Sequence, residues 1–223
     1  MTTRLAVMAR GPGSPDAPSV TYTEDPDEPT PNEPTPNESR APIVTAEVQR
    51  NLLRSRTVLI FGEITSELAQ ATTAQLLALA SDSDAPIRVV VHSPGGHVEA
   101  GDTIHDVIRF IRPEVRMIGT GWVASAGALI FVAARREHRY ALPNTRFMLH
   151  QPTGSLRGHA ADIEIEAKQI VAVRERLSRI FAVATGQELA KLARETERNL
   201  WMTAHAAQAY GIVHRVIERV DEI

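Results

Sequence analysis

The sequence predicts an α/β domain built on a mostly parallel sheet with crossover helices, and three observations lead there. Short apolar runs rich in β-formers alternate with stretches of helical period from Thr57 onward. Several of those runs close on glycine, proline or polar turns, as strand ends do in such sheets. The hydrophobic fraction of 43% over 223 residues, with no long apolar run, is enough for one substantial core and too little for a membrane span.

The elements follow in order. Residues 1–42 are different material: nine of the 14 prolines fall there, among acidic residues and a tandem repeat, Glu28–Asn32 and Glu33–Asn37. Such a segment buries too little apolar surface to offset its ordering entropy, so it reads as a disordered extension or propeptide. Residues 43–223 form the globular domain. Thr57–Phe61 reads as a strand ending at Gly62. Thr65–Ala80 reads as a helix with Ala69, Thr72, Leu76 and Leu79 on one face. Ile87–Val91 is a second strand, closed by Ser93-Pro94-Gly95-Gly96, and Val98–Ile111 a helix stopped by Pro113.

At the centre stands Gly119–Val132. A strand, Val115–Ile118, enters it, a run of small residues follows, and Leu129–Ala134 suits a buried helix. Ser125 lies at that helix start, where unpaired N–H groups favour negative charge. The residue is either a helix cap in a tightly packed segment or a nucleophile that small neighbours leave open. Glycine is missing two positions before it, where Val123 stands, so the usual G-x-S-x-G elbow is not matched. Further on come Tyr140–Leu142, the strand Arg146–Leu149 ending at His150, the longest helix Asp162–Thr185, then Glu188–Glu195, an extended piece at Leu200–Met202 and Ala204–Tyr210.

Composition removes several function classes. A net charge of −3 argues against a nucleic-acid or membrane surface, and the absence of cysteine excludes disulfides, thiolate catalysis and cysteine–zinc sites. No metal-ligand spacing or phosphate-cradling motif is present. The apolar patch Leu5–Ala9 is too short for a signal sequence, so the expected compartment is the cytoplasm.

A serine nucleophile needs a base, a group that orients the base, and backbone donors aimed at the oxyanion. The donors and the base each have a candidate at a strand end: the Ser93–Gly96 loop, which is otherwise a tight turn, and His150, which is otherwise a structural histidine. Together the pieces SPGGHVEAG (Ser93–Gly101), the G-x-x-x-S-x-G-A pattern at Gly121–Ala128, LPNTRFMLHQP (Leu142–Pro152), DIEIEAKQI (Asp162–Ile170), ATGQ (Ala184–Gln187) and ETERN (Glu195–Asn199) resemble the proteolytic subunit of the Clp protease family. The resemblance covers about Arg54 to Val220.

It implies a spiral of ββα units, shared with the crotonases, with a protruding handle helix at Asp162–Thr185. It implies a serine endopeptidase with Ser125 as nucleophile, His150 as general base and the N–H groups of Gly96 and Ala126 as oxyanion hole. Gly95 and Gly158 match positions beside the substrate, although one of two adjacent glycines earlier in the Gly158 loop is Ser155 here. The third catalytic position, aspartate in most of the family, is Asn199, which implies attenuated activity. Glu197 and Arg198 match a pair at the contact between rings. The implied assembly is a homo- or hetero-oligomer of two stacked heptameric rings, fed with unfolded polypeptide by an AAA+ unfoldase of the ClpX, ClpA or ClpC type. ATP is then used by that partner and the chain needs no cofactor or metal. Arg88 and Val90 stand where the family carries aromatic docking residues, leaving Phe110 and Tyr140 as aromatic surface. Asn199 and this altered surface also fit a second function, a weakly active or structural subunit completing a ring with a more active paralogue. An acyl-CoA hydratase or isomerase is a third, but that chemistry typically uses carboxylates where this chain has Ser125 and His150.

Overall fold

The computed structural model describes residues 45–152 and 159–223. The expected extension 1–42 and Gly158 lie outside them. Seven strands form one sheet: β1 (Thr57–Phe61), β2 (Ile87–Ser93), β3 (Val115–Ala124), β4 (Arg139–Ala141), β5 (Arg146–Leu149), β6 (Leu200–Thr203) and β7 (Arg215–Val216). Five run parallel in the order β1-β2-β3-β4-β7; β5 pairs parallel with β3, and β6 pairs antiparallel with β5. Crossovers are made by α2 (Ser66–Asp82), α3 (Val98–Phe110) and α4 (Ala126–Phe131).

Burial explains each element. On β2 the residues Ile87, Val89, Val91 and Ser93 are buried in strict alternation. Thr65 caps α2 by accepting the Leu68 N–H at 3.2 Å, and Ala69, Thr72, Leu76 and Leu79 are the buried face, as the sequence predicts. Helix α4 is buried on all sides, which suits an apolar helix at the middle of a core. Its Phe131 meets Phe147 of β5 edge-on, with centroids 5.1 Å apart. That contact fastens the helix after Ser125 to the strand before His150.

Strand β3 changes partner halfway. Met117–Gly119 pair with β4, whereas Trp122–Ala124 pair with β5. The change occurs at Gly121, whose φ of +55° suits glycine, and a Cβ there would come within 2.4 Å of His92 Nδ1. The same nitrogen accepts the Trp122 N–H at 3.1 Å and so locks the switch. Splitting a parallel sheet opens a crevice at the carboxyl ends of its strands. Ser125 is delivered there.

Four expectations need correction. Strand β3 runs past Ile118 to Ala124, because small residues there still complete ladder pairs. The central helix is Ala126–Phe131, and Val132 and Ala134 turn their carbonyls to the buried guanidinium of Arg139 instead. Helix α1 (Ala46–Arg54), capped by Thr45, was not expected and buries no residue. Tyr140 is buried, with Arg215 over its ring, so of the two aromatics expected at the surface Phe110 alone is exposed.

Helix α5 (Ala160–Thr185) buries only its carboxyl half, through Leu177, Ser178 and Phe181. Asp102 of α3 receives both Nη atoms of Arg176 at 2.6 Å, a fork that seats this half beside the crevice. The amino half leaves Ile163, Ile165 and Val171 exposed, which is the protruding handle. Helices α6 (Leu189–Glu195) and α7 (Ala204–Tyr210) close the domain.

Candidate active site

Ser125 is held from both directions. Its N–H donates to Met148 O at 2.9 Å, extending the β3–β5 ladder, and its carbonyl accepts from Ala128 and Leu129 to start α4. Between these bonds the backbone takes φ 54° and ψ −121°, a region a non-glycine residue enters only at a cost of order 1–3 kcal/mol. The side chain makes no cap bond to the helix. Its Oγ lies 2.8 Å from His150 Nε2 instead. The hydroxyl is thus directed at the imidazole and not at the helix it precedes.

His150 follows β5 directly. Gln151 anchors the exit, its N–H donating to Thr196 O at 3.1 Å and its amide to Ala193 O at 3.1 Å. The β5–β6 pairing ends at Leu149 and Leu200, so His150 directly follows it on one strand and Asn199 directly precedes it on the other. Asn199 is exposed, and among the described residues no hydrogen bond joins it to His150. Glu197 and Arg198 are exposed beside it and form no ion pair among the described residues.

The donors for an oxyanion come from two loops. Ala126 begins α4 after Ser125, and Gly96 stands in the loop after β2, where Ile64 bridges to it. Neither N–H has an acceptor among the described residues. Gly95 differs from the expectation for its loop: its N–H donates to Ser93 Oγ at 3.0 Å and its carbonyl accepts from Ile64 N at 2.8 Å. What it contributes is closeness. At its φ of +106° a Cβ would stand 2.6 Å from Ser125 Cβ. The crevice beside Ser125 continues into a small apolar pocket of about 20 Å³ between Val98, Leu129, Pro152 and Leu177. A wider cavity of about 470 Å³ begins at Gly96, Val98 and Pro152 and is edged by Glu63, Glu99 and Glu166.

Ser125, His150, Gly95, Gly96 and Ala126 are therefore brought together from three strand ends, and Asn199 directly precedes β6, the strand paired with β5. The pattern of residues does not reveal the strained Ser125 backbone or the exit anchor Gln151; the HQP string at the strand end is the one signal for the latter. Among the described residues no group of three metal-ligating side chains occurs, and no helix is long and apolar enough to cross a membrane.

The family profile described as Clp protease matches residues 40–220. The chain is 57% identical over 177 residues to the ATP-dependent Clp protease proteolytic subunit 3 of Rhizobium meliloti (strain 1021), covering 79% of this chain and 91% of that one. It is 54% identical over 211 residues to the proteolytic subunit 2 of Gluconobacter oxydans (strain 621H), covering 94% and 90%. Among solved structures, ClpP1 from Listeria monocytogenes superposes with a TM-score of 0.72 at 49% identity, over 78% of this chain and 98% of that one. An asparagine-to-aspartate variant of the same protein gives a TM-score of 0.73 at 51% identity, with the same coverage. The chain belongs to the Clp protease family, as a proteolytic subunit with serine endopeptidase activity.

Proposed function

We propose that Ser125 attacks the scissile carbonyl with His150 as general base, and that Asn199 in the third position attenuates the reaction. The observation that carries this is the 2.8 Å contact between Ser125 Oγ and His150 Nε2. As Oγ bonds to the carbonyl carbon, its proton passes to Nε2. The oxyanion meets the N–H groups of Gly96 and Ala126, which have no other acceptor among the described residues. Collapse breaks the C–N bond, and the amine leaves with the proton from Nε2. Water then releases the acyl group by the same proton path in reverse order. The small apolar pocket at Val98 and Leu177 lies next to that bond.

Asn199 explains the attenuation. An amide oxygen can hold the imidazole Nδ1–H, but it brings no charge to stabilise the imidazolium. The exposed apolar side chains on the amino half of α5 support assembly of two stacked heptameric rings with copies of this chain or of a paralogue, with Glu197 and Arg198 at the contact between rings. An AAA+ unfoldase supplies unfolded polypeptide and consumes ATP, in the cytoplasm, and the chain itself uses no cofactor. The exposure of Asn199 favours a second reading, a weakly active subunit completing a ring with a more active paralogue.

A fluorophosphonate probe followed by intact mass tests the site. One adduct at Ser125, lost in Ser125→Ala, is expected. Absence of any adduct in the assembled protein favours the second reading, and native mass spectrometry with and without a paralogue then reports ring composition.

A further inference from the structure

At the opposite end of α4 from Ser125, the carboxyl ends of α3 and α4 enclose a cavity of about 350 Å³. Arg109, Arg112 and Arg135 line it, with His138 and Glu114. We propose that this cavity binds a phosphate-class anion, free or carried as an ester.

Arginine charge is in excess here. Among the described residues, Arg109, Arg135 and the neighbouring Arg136 have no ion pair, and Arg112 reaches Asp84 only at 3.6 Å with both side chains exposed. Glu114 is the carboxylate that lines the cavity, and it is already engaged. It accepts from Arg116 at 2.6 Å and lies 3.3 Å from His138 Nε2. Glu137, in the same turn as Arg135 and Arg136, is fully exposed. Behind the wall, Arg139 is buried with no carboxylate partner. Burial, and then the like charge of Arg136, pull its guanidinium down to about 10, with Glu137 opposing and Arg109 adding to the shift.

Helix carboxyl ends ordinarily repel anions, and arginines there are often no more than partners for the carbonyls. In this case two of the carbonyls after α4 are already taken. Arg139 donates to Ala134 O at 2.8 Å and Val132 O at 3.0 Å. The three lining arginines are left to face the cavity, where planar guanidinium groups suit phosphoryl oxygens in pairs. The cavity is large enough for such a group.

The test is calorimetric titration of the full chain with inorganic pyrophosphate, and separately with phosphoserine, at low ionic strength. One saturable site per chain is expected, weakened about tenfold or more in Arg109→Ala/Arg135→Ala and several-fold in Arg135→Gln alone. Arg50→Ala, which removes an exposed arginine from α1, leaves it unchanged. Equal binding of both probes means that the phosphoryl group alone is recognised, and a preference for phosphoserine means an ester. No saturable binding of either probe overturns the proposal. So does binding that survives in Arg135→Gln or that falls equally in Arg50→Ala.

Discussion

Ser125 contacts His150, and Asn199 is the residue proposed for its other side; the chain builds the two positions to different standards. Ser125 is fixed by its own backbone bonds, by the wall of Gly95 and by a fully buried helix, and it contacts the imidazole at 2.8 Å. Asn199 follows α6 in an exposed bend and has no bond to that imidazole among the described residues. The difference shows where the fold invests strain. The substrate side of the base is over-determined, as an unfavourable Ser125 conformation requires. In the proposed triad the far side, which would set the tautomer of the base and stabilise its charge, is left loose.

The most severe way to break this comparison is to remove the base. His150→Ala should lower cleavage of a fluorogenic peptide about 10³-fold or more and abolish labelling of Ser125, with the oligomer intact by native mass spectrometry. Labelling at an unchanged rate would move the proton acceptor elsewhere.

A narrower cut is Gly95→Ala, whose new Cβ meets Ser125 Cβ at 2.6 Å. Turnover should fall on the order of 10²-fold, since a displacement of about 1 Å at the nucleophile has that effect. Gly62→Ala is the control: its φ of +88° is also strained, but nothing lies within 4 Å of its Cβ. Equal losses in both variants would assign the effect to strain alone and remove Gly95 from the site.

Much of the well-built side is legible in the sequence. The buried face of α2 follows from its spacing, and Ser125 and His150 stand at recognisable strand ends. Other parts are hidden for physical reasons. Gly119 and Gly121 have no strand propensity to reveal that β3 continues and changes partner. Helix α1 fully buries no residue, and its apolar side, Val48, Leu52 and Leu53, is too short to read as a helix from the sequence. The positive φ of Ser125 is imposed by ladder and helix together, and no residue type announces it. Arg139 reads as one more charge in a basic run, yet its guanidinium joins Val132, Ala134 and Ala184 through their carbonyls.

That junction ties α4 to the carboxyl end of α5, so it supports the serine side of the comparison. Arg139→Met should orphan three carbonyls, two of its bonds being fully buried, and cost about 2–4 kcal/mol in urea unfolding. A loss below about 0.5 kcal/mol would show the carbonyls to be satisfied by water. The smallest effect is expected from removing Met1–Ser39. Its proline-rich, acidic composition predicts a melting temperature within about 2 °C of the full chain and an unchanged oligomer. A drop of many degrees would mean that the segment packs on the domain.

The comparison itself is tested most directly by the pH–rate profile of Asn199→Asp beside the wild type, on a small fluorogenic peptide with oligomeric state checked in parallel. A carboxylate beside an imidazole favours the protonated ring, and catalysis needs the neutral one. The acid limb should therefore move to higher pH, while turnover on the plateau rises. Glu197→Gln, which removes the nearby acid, should leave the profile in place. An assembled Asn199→Asp protein with unchanged plateau and unchanged acid limb would contradict the account, because residue 199 would then have no part in how His150 works.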